Sequence, residues 1–304
     1  MQSSGTRMTF QLQDNHVGES FFDGSFNWQT FDDPSGGRVN YVDMPTAQAL
    51  NLSYTNGNKF IMRGDDQNVV TSGRGRNSVR IASTKAYRDS VIVMDIEHMP
   101  YGCAQWPAFW TLTNGNWPDG GEIDMLEGIN THSLNLGSLH TSAGCTMPDN
   151  RDQKGYTDTT DCNAFVNGDS GCGTSFSSPS SYGQGLNNNG GGWFVMKRTD
   201  SDGVSMYFWP RNDKSVPKEV RSNTGSITPS SSWGKPEGVW PTSQCDFASH
   251  FTEHNIIINL TFCGAWAGNE FGVCGQGDCN AFVDQNPQAF TEAYWEINSL
   301  RVYT

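Results

Sequence analysis

The chain has 304 residues, 34 of them glycine, with 12% aromatic and 17% charged residues and a net charge of −13. Such acidity repels phosphate backbones and anionic lipid, which removes nucleic acid and membrane surfaces from the expected partners. No apolar run of about 18 residues is present, so no spanning helix is expected, and without a composition break or linker residues 1–304 read as one domain.

The N-terminus MQSSGTRMTF lacks a basic-then-apolar leader pattern, so an exported protein would be met here in mature form. Short β-branched or aromatic runs bounded by turn residues then predict strands at NKFIMRG (58–64), NSVRIAS (77–83) and SVIVMDIEHM (90–99). EIDMLEGI (122–129) and LNLGSLHT (134–141) follow. In GWFVMKRTDSDGVSMYFWP (192–210) the Asp-Gly pair predicts a hairpin turn. NIIINLTF (255–262) and YWEINSLRVY (294–303) complete the series. Gly-, Asn- and Ser-rich runs such as NNNGGG (187–192) and SSPSSYG (177–183) read as long loops. Many short antiparallel strands with long loops predict an all-β sandwich or barrel whose curved sheets leave one concave face for a ligand.

Eight cysteines occur, at 103, 145, 162, 172, 245, 263, 274 and 279. No two CxxC pairs are found among them, so disulfides in an oxidising compartment are expected rather than a zinc ribbon. The 105 possible pairings stay open. Sequons at Asn51 and Asn259 fit export, although Asn259 falls inside an apolar run where a glycan would have no access. The expected protein is therefore secreted, with a monomer as the default.

The stretch GGEIDMLEGIN (120–130) sets three carboxylates among apolar residues, where burying charge is costly. On a regular strand Glu122 and Asp124 share a face, whereas Glu127, five positions on, points to the other. A β-bulge near Met125-Leu126 would bring all three to one face and turn Ile123 into the core. Two carboxylates flanking a bond are the equipment of glycoside hydrolysis; a gap near about 5.5 Å implies retention, and one above about 6.5 Å inversion. The plain alternative is an edge strand whose acids face water. Against it stand Trp106, Trp110 and Trp117 in QWPAFWTLTNGNWPDGG (105–121), since flat rings beside carboxylates suit the apolar faces of sugars.

WPAFWTL followed by WPDGGEIDMLEG resembles the Glu-x-Asp-x-x-Glu signature of glycoside hydrolase family 16, in its bulged, laminarinase-like form. GRVNYVD (37–43), GRNSVRI (75–81), GGGWF (190–194), NIIINLTFCGAWAG (255–268) and AYWEINSLRVY extend the likeness to secreted fungal endo-1,3(4)-β-glucanases over nearly the whole chain. The resemblance implies a jelly-roll β-sandwich of two antiparallel sheets with an open cleft. It also implies Glu122 as nucleophile, Asp124 as assisting carboxylate and Glu127 as general acid/base. Trp110 and Trp117 would stack sugars on the glycone side and Trp266 on the aglycone side. Arg80 would bind sugar hydroxyls, and His140 would face the acids, while His98 is expected to be structural. No cofactor is implied, but some relatives hold a structural calcium, for which Asp65 and Asp66 could serve. The expected substrate is a β-glucan. Two other functions share these features: a transglycosylase on cell-wall glucans, and a jelly-roll lectin that binds without cutting, which has no reason to keep the three acids.

Overall fold

The computed structural model describes residues 8–304; residues 1–7, part of the segment read for a leader, lie outside them. Two antiparallel sheets carry the fold, of nine and eight strands. In the nine-stranded sheet the predicted runs SVIVMDIEHM and YWEINSLRVY pair as Ser90–His98 with Tyr294–Tyr303. The predicted hairpin forms as Gly192–Thr199 with Gly203–Pro210, closing at Thr199 opposite Gly203. The turn needs Gly203, whose φ is +81° and where a Cβ would sit 2.0 Å from the Trp240 carbonyl oxygen.

The eight-stranded sheet runs in the order Tyr156–Thr157, Cys172–Ser175, Leu136–His140, Glu122–Glu127, Gln105–Thr113, His254–Phe262, Arg80–Tyr87 and Phe26–Trp28. The acidic strand therefore lies near the middle of this sheet, not at an edge. The run NSVRIAS is not one strand: Arg76–Ser78 pairs in parallel with Val39–Tyr41, and a separate strand starts at Arg80. One continuous core lies between the sheets. Ile81, Phe109, Ile123, Leu139, Ile256 and Ile258 from one sheet meet Ile92, Met94, Met196, Met206, Leu300 and Val302 from the other. At about 1.5–3 kcal/mol for each such side chain buried, this alternation fixes which residues are left for the opposite face.

All eight cysteines are paired, as Cys103–Cys274, Cys145–Cys245, Cys162–Cys172 and Cys263–Cys279. The Cys162–Cys172 bridge closes a loop of only ten residues' separation. Among the described residues no helix is long and apolar enough to cross a membrane.

Candidate active site

The bulge is present. Against the neighbouring strand, Asp124 pairs with Trp110 but Leu126 already pairs with Phe109 and Glu127 with Ala108, so one residue is extra. On the other side Asp124 pairs with Ser138 and Glu127 with Leu136, the same shift. Ile123, Met125 and Leu126 are all buried, while Glu122, Asp124 and Glu127 face one cleft of about 370 Å³. Sequence gave no sign of the clamp on this kink. Asn135, fully buried, accepts the Glu127 backbone N–H through Oδ1 at 2.9 Å and donates from Nδ2 to the Met125 carbonyl at 2.9 Å. The predicted strand 134–141 included Asn135; the observed one starts at Leu136, leaving the Asn135 side chain free for this task.

Each glutamate is tethered by an indole. Trp117 Nε1 donates to Glu122 Oε2 at 2.6 Å, and Trp106 Nε1 donates to Glu127 Oε1 at 2.8 Å. Trp110 lines the same cleft, its Nε1 donating to Asn259 Oδ1 at 2.7 Å. Asn259, one of the sequon residues, is thus a buried cleft side chain with no room for a glycan; Asn51 is exposed. Arg80 also lines the cleft, its guanidinium lying between the Trp110 and Phe31 rings at 4.9 and 5.0 Å while Nε donates to Gln29. Trp266 is not part of this lining. It packs edge-on against Trp106 at 5.7 Å and against His132, and its Nε1 bonds Glu270. His98 lies outside the cleft, stacked on Tyr294 and bonded to Glu292 and Asn187.

His140 stands opposite Glu122 on the adjoining strand, with Nε2 3.2 Å from Asp124 Oδ2 and Nδ1 3.0 Å from Asp169 Oδ1. Burial alone would strip its proton. The hydrogen bonds to Asp124 and Asp169 and the nearby acid charges outweigh burial and hold the imidazole well above its ordinary value. Ser138 Oγ donates to the same Asp124 oxygen. Asp124 is therefore held by two partners, and Asp169 is a site residue that no sequence pattern announced.

The two glutamates are pushed the other way. Burial, then the Asp124 charge, raises Glu122 well above the usual carboxylate range, against the opposing pull of His140. The same two causes raise Glu127 to about 8, with the Trp106 bond opposing. Crowded carboxyls cannot all ionise, so near neutrality the pair retains a proton.

Glu122, Asp124 and His140 offer donor atoms within 4.8 Å of one another. Both His140 ring nitrogens are already bonded to acids, Nε2 to Asp124 and Nδ1 to Asp169, so the cluster is paired internally. Asp65 is likewise engaged by Gln67 and Asn68, and Asp66 by Arg63.

A family model for the XgeA-like catalytic GH16 domain matches residues 26–303. The chain is 40% identical to "Probable glycosidase C21B10.07" of Schizosaccharomyces pombe, over 97% of this chain and 69% of that protein. It is 37% identical to the endo-1,3(4)-beta-glucanase of Arthroderma benhamiae, over 97% of this chain and 65% of that one. Against others it spans about half of their length. Among solved structures, Laminarinase 16A from Phanerochaete chrysosporium, in complex with two beta-glucans, superposes with a TM-score of 0.95 at 46% identity, over 98% of this chain and all of that one. An elongating GH family 16 beta-1,3-glucosyltransferase gives 0.88 at 35% identity, over 97% of this chain and all of that one. With a bulged acidic strand on the open face of a two-sheet sandwich, and with matches of this extent, the chain belongs to glycoside hydrolase family 16, in its XgeA-like group.

Proposed function

We propose that this chain is an endo-1,3(4)-β-glucanase that cuts internal bonds of laminarin- and lichenan-type glucans with retention. The observation that carries the reading is the bulge, which gathers Glu122, Asp124 and Glu127 on one face of a tryptophan-lined cleft. Glu122 is the nucleophile: it attacks the anomeric carbon while Glu127 donates its proton to the departing glycosidic oxygen. Esterification removes the Glu122 charge, so the Glu127 carboxylate left behind takes a proton from water, which then opens the ester. Asp124, fixed by Ser138 and His140, stands beside Glu122 and orients it. Trp110, Trp117 and Arg80 bind the sugars around the point of cleavage, with Trp266 further along on the Trp106 side. The reaction runs on the chain's own side chains and calls for no cofactor.

Product analysis on laminarin, lichenan and mixed-linkage glucan tests this: new reducing ends and a β-configured first product are expected. Binding without cleavage would leave the lectin, and an α-anomer would end double displacement. The likeness to an elongating glucosyltransferase favours transglycosylation as the second reading, and products longer than the donor oligosaccharide would reveal it. Four paired disulfides support an exported protein that meets its polymer outside the cell.

The raised Glu127 sets two pH effects. kcat/KM should fall above about pH 8, where the acid loses its proton before attack. Stability moves with the same group. A carboxyl whose folded value lies above its unfolded one lends stability at low pH that disappears as pH rises through the folded value. Glu127→Gln should therefore match the wild type in Tm at pH 4 and exceed it by about 2–4 °C or more at pH 9. Equal melting temperatures at both pH values would show that Glu127 is not a strained acid.

A further inference from the structure

The loop between Cys162 and Cys172, which sends Asp169 into the cleft, holds a second side chain just outside it, against Trp117. Phe165 is 73% exposed, more than any other large hydrophobic among the described residues, and its ring sits 6.2 Å from that of Trp117 at 75°. Trp117 is itself 42% exposed and bonds the nucleophile. Single exposed apolar residues need no explanation, but two large adjoining rings beside a binding cleft form a patch that does.

The loop is not a loose one. The disulfide ties its ends, the Asp169–His140 bond ties its far side, and Ala164 N–H donates to the Thr141 carbonyl. Phe165 N–H donates to Asn163 Oδ1 at 3.1 Å, and Asp169 N–H to the Val166 carbonyl. Gly171, at φ +56°, lets the returning chain pass close to His140; a Cβ there would lie 2.5 Å from the Leu139 carbonyl oxygen and 2.9 Å from His140 Cε1. A loop so firmly fixed that still holds a phenyl ring in water has a use for that ring. Phe165 does not line the cleft itself, so what it can reach lies beyond the unit over Glu122, on the outer side of Trp117.

We propose that Phe165 and Trp117 form an aromatic corner that binds a further glucosyl unit of the polymer, making Phe165 a determinant of chain-length preference. A sugar resting on one ring would meet the other at its edge, two apolar contacts at nearly right angles. This rests on the glucanase reading, and the test separates the two. kcat/KM is measured for wild type, Phe165→Ala and Phe165→Trp on β-1,3-glucan oligosaccharides from tetrasaccharide to heptasaccharide. Phe165→Ala should lose about fivefold to tenfold on the heptasaccharide, chiefly in KM, and less than about twofold on the tetrasaccharide, with Phe165→Trp restoring the long-chain rate. An unchanged length dependence, or an equal loss at every length, overturns the proposal. A wild type that cuts no oligosaccharide and no laminarin overturns the glucanase reading, and the aromatic corner with it.

Discussion

Glu122→Ser is expected to lower kcat on laminarin by about 10⁴-fold or more, which at 1.36 kcal/mol per decade is about 5.4 kcal/mol of barrier. Serine cannot reach the anomeric carbon, so no glycosyl ester forms. The fold should survive, because the wild-type carboxyl is already disfavoured there by burial and by Asp124, and serine removes both penalties. Glu127→Ala should cost about 10²–10⁴-fold on the polymer, the usual worth of a placed proton donor. The two variants then part company. With an activated aryl leaving group, Glu127→Ala needs no acid for the first step. Added azide, a nucleophile that needs no base, should take the place of water, displace the Glu122 carboxylate from the glycosyl ester and yield a β-glycosyl azide. Glu122→Ser should give an α-glycosyl azide or none, since the small anion enters from the nucleophile's side. Anomers in the reverse pattern would exchange the two roles. Near wild-type rates in either variant would remove that residue from the chemistry.

What could be read in advance follows a physical line. The odd five-residue offset from Glu122 to Glu127 conflicts with a strand period of two, and one extra residue is the smallest repair; that is why the bulge was legible and is observed at Asp124–Leu126. The alternating apolar runs were legible too, because burying one face of each sheet demands them. Partners supplied by other strands were not. The apolar run around Asn259 marks its sequon as inaccessible, but nothing in that run announces that the sheet turns its side chain into the cleft against Trp110. Asp169 and Phe165 sit in NAFVNGDSG, a stretch without periodicity, and reach the site only because a disulfide folds it back onto His140. Trp266, expected on the aglycone side from its resemblance, sits on the π-helical turn Gly264–Gly268, edge-on to Trp106 and outside the lining around the acids, a placement that its short sequence context does not announce.

Asn135→Ala should be the most damaging change outside the acids themselves. Asn135 touches no part of the cleft, yet its amide holds both sides of the bulge, the Met125 carbonyl and the Glu127 N–H. Alanine leaves both groups buried without partners, at about 1–3 kcal/mol each, so a loss of about 2–5 kcal/mol in a urea melt is expected. The bulge can recover part of this by relaxing toward a regular strand, and relaxation in that direction swings Glu127 away from Glu122. A displacement of about 1 Å is enough to cost about 10²-fold in turnover, and it should appear in kcat with little change in KM, because Trp110 and Arg80 stand on other strands and Trp117 on the loop before Glu122. Asn135→Asp separates the two contacts. It keeps the acceptor for Glu127 N–H but loses the donor to Met125, so it should retain more activity than alanine while still melting early. If alanine at this position leaves kcat and the melt unchanged, strand pairing alone must hold the kink, and the acids owe their common face to the sheet rather than to one amide.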